Sequence, residues 1–582
     1  MPRRVAIACK LCRSRKRKCD GRSPRCSTCE TLQTQCVYQE QTQPTAAERL
    51  EKIESLLEAH SVAIADLSNN LPREGSAPLS DHNARDEAEP SLIPKDSFTP
   101  PLFNIPIGHR STTSSILVLP QVRPLAGEFP HDTFFRLEAC RPSLGDLPFS
   151  SESPDYQDLL VPDPARSNEL LGYFFELVYP YHPLFEREEL RMLFERVAER
   201  GLRQDEKSAV YLVVIALGLI ASEPRRQSEV AEHEMPGFAH FNAAFRILVA
   251  AWANSFGSNV VLAQGLVLSA LYLLYLMRPL QAWRLIHMAS TSIQQTLIGS
   301  EQLSESERET VTRVCWSCFL IECDNLAEFD HPRSGIEPLV DSLPFPSCNP
   351  PNLDLQRYLA NLSMRCLLNR IHHCLYFSSE TPTHAAWSPT AVRTGMSPPR
   401  QPSTAVCTEL ELQLQNWYGM LPDAIRPALD FQEPGDLHMC LLQLRYWSAK
   451  QIIYRPYVIY AISRPVEEEL SENVLSACQT CVSACRGYLY TSVPFLSSTS
   501  PSPYTYMAIQ CALGSVLVLT LTRSCPALEH LVPDIDALQT IAVDMLQLWS
   551  SPGSSVMCTL EIAISIRTKQ RLRGSAHSIS SR

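Results

Sequence analysis

Apolar residues in this chain fall into stripes of helical period over most of its length. Leu410, Leu414, Trp417 and Leu421 share one helix face that ends at Pro422, and Trp316, Leu320, Cys323 and Ala327 share another that stops near Pro332. The longest apolar runs, Ala209 to Ala221, Val260 to Met277 and Met507 to Leu521, fall short of the clean span of about 20 residues that a membrane helix needs. They predict core helices and no membrane partner. β-signals are sparse, so residues 166–550 are expected to form a large all-α domain, with the Pro/Ser-rich stretch from Ser378 to Thr404 looping out of it.

Nearer the N-terminus the pattern changes. A heptad runs through AAERLEKIESLLEAHSVAIADLSNN, with Leu50, Leu57, Ile64 and Leu71 at a positions and Ile53, His60 and Leu67 at d positions. Residues 45–71 are therefore expected to be a linker and a short coiled-coil dimerisation helix, whose seam Leu50, Ile53, Leu57, Ile64 and Leu67 would supply. Residues 72–165, rich in Pro, Ser, Asp and Glu at their start, read as a mostly disordered linker, and 551–582 as a flexible tail in which Arg567, Lys569, Arg571 and Arg573 are solvated.

At 582 residues the chain exceeds what one core supports, so several structural units follow. Glycine is scarce at 20 residues while proline reaches 45; no GxGxxG, P-loop, HExxH or GxSxG occurs, and no enzyme is expected. The start, MPRRVAIACKLC, has no apolar secretory core, which predicts a reducing compartment. Net charge is −11, yet residues 1–36 hold ten Lys or Arg against Asp20 and Glu30, which makes that segment +8 and the remainder −19. Six of the 21 cysteines lie there too.

Those six, Cys9, Cys12, Cys19, Cys26, Cys29 and Cys36, are spaced C-x2-C-x6-C-x6-C-x2-C-x6-C, so that one x2, x6 unit occurs twice. Zinc takes four thiolates in a tetrahedron. Two ions need eight ligands, and six cysteines suffice if two of them are shared. The repeat picks Cys9 and Cys26, the heads of the two halves, as the bridging pair between two Zn(II). A segment this short and polar cannot build an apolar core, so ligation worth roughly 10 to 16 kcal/mol per structural zinc would fold residues 1–40. RING and LIM modules need eight Cys or His ligands, which this segment lacks.

The halves differ in charge. Lys10, Arg13, Arg15, Lys16, Arg17 and Lys18 crowd the first, and no basic residue lies between Cys26 and Cys36. A short helix after Cys12, pinned by metal, would carry Arg15, Lys16 and Lys18 into a groove of double-stranded DNA. Lysine and arginine donate to guanine O6 and N7, while Lys10, Arg13, Arg17 and Arg22 would neutralise phosphates.

The stretch CKLCRSRKRKCDGRSPRCSTCETLQTQC closely resembles the fungal zinc binuclear cluster, Zn2Cys6, of transcription regulators. The resemblance implies that Lys16 reads a CGG triplet from the major groove beside Arg15 and Lys18, that Pro24 makes a turn between the half-clusters, and that two copies pair on two triplets. Further on, YFFELVYPYHPLF, ALYLLYLMRPLQAWRLIHMA, RVCWSCFLIECD, SGIEPLVDSLPFP, LQLQNWYGMLP and LRYWSAKQIIYRP are together similar to the fungal-specific regulatory domain that accompanies this cluster. His287, where a small residue is common, and LIGSEQ depart from its pattern.

The expected molecule is thus a nuclear, sequence-specific regulator of RNA polymerase II genes, a homodimer that works with the transcription machinery or co-regulators and a small-molecule effector. The alternative is a zinc-dependent protein-interaction adaptor without sequence-specific DNA binding. Cys315, Cys318, Cys478, Cys481 and Cys485, with His372, His373 and Cys374, lie in apolar helical patterns and read as packing residues.

Overall fold

The computed structural model describes residues 12, 19, 25–36, 105–142, 161–223, 234–254, 259–298, 303–347, 352–376, 401–430, 436–465, 467–497 and 501–580. They belong to two compact units, residues 1–52 and 53–582. The second is all-helical among the described residues, as its apolar periodicity predicts.

In the first unit α1 spans Ser27–Thr31. The second opens with three short helices, α2 (Thr113–Leu117), α3 (Arg123–Ala126) and α4 (Thr133–Cys140). Helices α5 (Pro164–Tyr173), α6 (Arg187–Arg200), α7 (Glu206–Ser222), α8 (Phe238–Asn254) and α9 (Val260–Tyr275) follow, then α10 (Pro279–Ile298), α11 (Glu305–Leu326) and α12 (Glu337–Val340). The second half holds α13 (Leu353–Tyr376), α14 (Thr404–Met420), α15 (Leu437–Ile462), α16 (Glu472–Ser497), α17 (Thr505–Arg523), α18 (Ile535–Trp549) and α19 (Ser555–Ser580).

Helix starts carry their own signals. Asp205 caps α7 by accepting from Ser208 N at 2.8 Å, Asn259 caps α9, and Ser304 with Glu307 forms a reciprocal capping box on α11. Helix α7 is buried on nearly every face. It packs so closely on α5 that a Cβ at Gly218 would lie 2.5 Å from the Leu170 carbonyl oxygen, which only glycine avoids. Helix α17 is long and apolar enough to cross a membrane, but it is enclosed by α2, α15, α16, α18 and α19 and makes the centre of the second half.

Pro456 stands inside α15, where it cannot donate to the carbonyl of Ile452. The Tyr376 hydroxyl, from the end of α13, donates to that oxygen at 2.6 Å instead. The orphaned acceptor thereby becomes a tie between two helices.

Two expectations drawn from composition are corrected. Part of the supposed disordered linker 72–165 is packed structure: Ile105, Ile116, Leu117, Val122, Leu125 and Phe134 are all buried. Thr113 donates through N and Oγ1 to Glu328, and Ser565 Oγ donates to the Leu125 carbonyl. The partners lie hundreds of residues away, so no local period marks this segment. Most of the supposed flexible tail 551–582 is α19, whose Val556, Leu560, Ile562, Ala563 and Ile566 are buried. Glu138, wholly buried on α4, accepts from Ser555 N and Oγ at its start, and further along Arg571 pairs with Asp536 on α18.

A structural role for α19 has a direct check. Ile566→Ala removes a fully buried side chain and is expected to cost about 2 to 4 kcal/mol. Leu572→Ala, at a mostly exposed position on the same helix, is expected to stay within about 0.5 kcal/mol of the parent in thermal or urea unfolding.

Candidate functional site

In the N-terminal unit, backbone geometry gathers sulfur. Cys26 is the extended N-cap of α1, and Cys29, three residues on, lies on the same side of that one-turn helix. Glu30 N donates to the Cys26 carbonyl at 3.0 Å and Thr34 N to the Cys29 carbonyl at 3.0 Å, which turns the chain back after the helix. Gln33 completes the reversal with φ of 45°, in the left-handed region.

The thiols of Cys12, Cys26 and Cys29 are buried together, with all three sulfurs within 4.8 Å of one another. Cys19 and Cys36 pack against them. Cys12 Sγ and Cys26 Sγ are 3.7 Å apart. Zn–S bonds of about 2.3 Å in a tetrahedron give an edge of roughly 3.8 Å, so this spacing is the one a shared zinc requires. Cys26 is central: its sulfur is also within hydrogen-bonding reach of Cys19 and Cys29, and its N–H donates to Cys36 Sγ at 3.3 Å. The donor set fits zinc, which as a redox-inert ion would crosslink these residues rather than react. Cys9 lies outside the described residues, as do Lys10, Arg13, Arg15, Lys16, Arg17, Lys18 and Arg22 and the heptad residues Leu50, Ile53, Leu57, Ile64 and Leu67.

The buried cysteines of the helical unit lie in helix cores. Burial pushes the Cys315 and Cys478 thiols up to about 12 and holds Cys318 well above its ordinary value; Cys481 is raised by its Cys485 neighbour and by burial. Neutral thiols of this kind are poor ligands and nucleophiles. Cys481 and Cys485 instead approach the main-chain and side-chain oxygens of Gln451 at 3.7 and 3.5 Å. His372 Nδ1 is 2.6 Å from Ser111 Oγ, which is 2.5 Å from His109 Nδ1, and burial holds both imidazoles below their usual range, His109 at about 4. Trp316 and Trp417 are core residues whose indole N–H groups donate to Pro344 O and Ser363 Oγ. His287 packs on Trp283, 4.3 Å between ring centroids, and lies 3.3 Å from Glu322.

Sequence reasoning missed a buried charged network. Asp324, at the end of α11, accepts two bonds from Arg445 on α15, at 2.8 and 2.7 Å, and one from Arg365 on α13 at 3.3 Å. Burial opposes ionisation of Asp324, and the two guanidiniums outweigh it, holding the carboxyl below its ordinary range. Arg445 also lies over the Tyr504 ring, and the Tyr504 hydroxyl meets Asn361 Nδ2 at 2.9 Å and His182 Nε2 at 3.3 Å. The signal was present: Asp324, Arg365 and Arg445 are charged residues inside apolar helical stripes, where an unpaired charge is too costly to bury.

Comparison with known proteins places both units. The fungal Zn(2)-Cys(6) binuclear cluster domain matches residues 7–45, and the fungal specific transcription factor domain matches residues 171–419. The chain is 23% identical over 510 residues to a putative transcription factor, ecdB, of Aspergillus rugulosus, covering 82% of each chain. It is 20% identical over 536 residues to the uncharacterized transcriptional regulatory protein C530.05 of Schizosaccharomyces pombe, covering 83% of this chain and 66% of that one. Over 206 residues it is 27% identical to the depudecin biosynthesis cluster-specific transcription activator DEP6 of Fusarium langsethiae, 31% of this chain and 33% of that one. No solved structure matches.

Cys26→Ser is expected to lower bound zinc by at least half, whereas Cys478→Ser, in a helix core, leaves it unchanged; elemental analysis of the purified full chain reads both.

Proposed function

For a chain that has the domain pair of the fungal Zn2Cys6 transcription factors, and is thus a fungal DNA-binding transcription regulator, we propose a specific mode of reading. Two Zn(II) per chain, held by Cys9, Cys12, Cys19, Cys26, Cys29 and Cys36, fix the segment between Cys12 and Cys19 as a basic reading head. Lys16, with Arg15 and Lys18, takes CGG-type triplets through the major groove, and Lys10, Arg13, Arg17 and Arg22 hold phosphates. The helix carrying Leu50, Ile53, Leu57, Ile64 and Leu67 pairs two heads, so that a homodimer covers two triplets. The protein acts in the nucleus, and the helical unit passes signals to co-regulators rather than performing catalysis.

One observation carries this reading: sulfur converges on Cys26 in a chain whose neighbouring half-cluster holds six basic residues. Cys26 lies beside Cys12 and Cys19 on one side of the scheme and Cys29 on the other, the position of a bridging ligand. Its equivalent in the repeat is Cys9.

In gel-shift titrations Lys16→Ala is expected to cost about 1 to 3 kcal/mol on a CGG-containing site and to flatten the preference for it over mutated triplets. Arg22→Ala weakens all sequences alike and reduces the salt dependence. Unchanged affinity and preference in both variants would sink the assignment. Elemental analysis should give two zinc ions per chain, and sedimentation of the DNA complex two chains per site.

A further inference from the structure

The helical unit holds a partly open cavity of about 80 Å³. One water needs about 10 to 15 Å³ of such space, and a cavity that admits benzene has about 150 Å³. The occupant that fits is therefore larger than one water and smaller than a six-membered ring. Apolar cavities of this size stay empty, but charged side chains share in the lining of this one.

Three buried arginines, Arg365, Arg445 and Arg455, contribute to its wall. Asp324 is the fixed negative charge, and it is engaged by Arg445 and Arg365. Glu328 also lines the cavity, held by Thr113 N and Oγ1, and burial pushes its carboxyl up to about 7. The wall is therefore positive in balance near neutral pH. Arg455 has no ion pair among the described residues; its Nη1 donates to the Ser111 carbonyl at 2.9 Å. A guanidinium without a carboxylate partner, in a wall that carries two more, suits a planar anion with two adjacent oxygens.

We propose that this cavity binds a small carboxylate of two or three carbons, whose oxygens accept from Arg455, with Arg365 and Arg445 adding positive charge to the wall. The binding stands on the cavity alone. A role for the ligand as an effector rests on the regulator reading above, because the same arginines lie on α13 and α15, the helices that meet α11 at Asp324.

The test uses the full zinc-loaded chain, with acetate, glyoxylate, pyruvate, oxalate and inorganic phosphate compared against chloride at equal ionic strength. Thermal unfolding is expected to rise by a few degrees with at least one carboxylate at saturation, and calorimetry to show one site per chain. Arg455→Met should weaken that binding at least about tenfold, and Arg455→Lys less. Ala508→Val narrows the cavity without touching a charge and should lose the binding with an unchanged circular dichroism spectrum, which covers a failure of Arg455→Met to fold. No stabilisation beyond chloride, a response to phosphate alone, or undiminished binding in folded Arg455→Met or Ala508→Val would overturn the proposal. A gel shift on the same samples separates the two readings: carboxylate binding without any DNA binding would count against the regulator alone.

Discussion

The helical unit depends on how Asp324 is kept charged while 6% exposed. An isolated carboxylate there would neutralise itself or not be buried at all. Two guanidiniums from different helices prevent that, and in doing so fix α13 and α15 against the end of α11. Tyr504 extends the arrangement to the start of α17, and His182 to the turn after α5. Removing either arginine would leave a buried charge short of partners, a loss of about 3 to 5 kcal/mol rather than the modest value of a surface pair. Segments far apart in sequence and alike in nothing but their family resemblance thus meet at one point: His182 from YFFELVYPYHPLF, Asp324 from RVCWSCFLIECD, and Arg445 and Arg455 from LRYWSAKQIIYRP.

The two units solve burial by opposite means, and cysteine shows this best. Around Cys26 the sulfurs are packed together at the spacing a tetrahedral metal demands, because 52 residues of polar chain have no other source of cohesion. In the helical unit Cys315, Cys318, Cys478 and Cys481 are buried in helix cores that suppress the thiolate, so they serve as small core residues. One residue type, with the same local spacing of x2 in CSTC, CWSC and CQTC, does two different jobs. What separates them is the setting: a one-turn helix beside Cys12 and Cys26 in the first, and long, largely buried helices in the other two.

Much of this was legible in advance. A cysteine cluster followed from the repeat, and the structure groups Cys12, Cys26 and Cys29; the core helices α7, α9, α11, α14 and α17 followed from stripes and runs of apolar residues that the structure buries. The errors lay where composition stood in for contact. Residues 105–142 look like linker because prolines and serines interrupt every period, yet Ile116, Leu117 and Leu125 are buried against α17 and α19. Helix α19 looks like a tail because its end is basic, yet its first half fills a groove. The charged network was missed for the converse reason, since nothing along the chain links Asp324, Arg365 and Arg445, whose pairing spans 41 and 121 positions.

The sequence by itself determined the chemistry that depends on neighbours along the chain: ligand spacing, charge segregation and helical period all act over a few residues. Only the tertiary structure decided which distant groups share a dry interior. The pairing of Asp324 with Arg445 across 121 positions, of Glu138 with Ser555 across 417, and the cavity around Arg455 arise from helix packing, whose specificity is spread over many side chains at once. No short pattern encodes that, because each contact becomes favourable only after the rest of the core has excluded water.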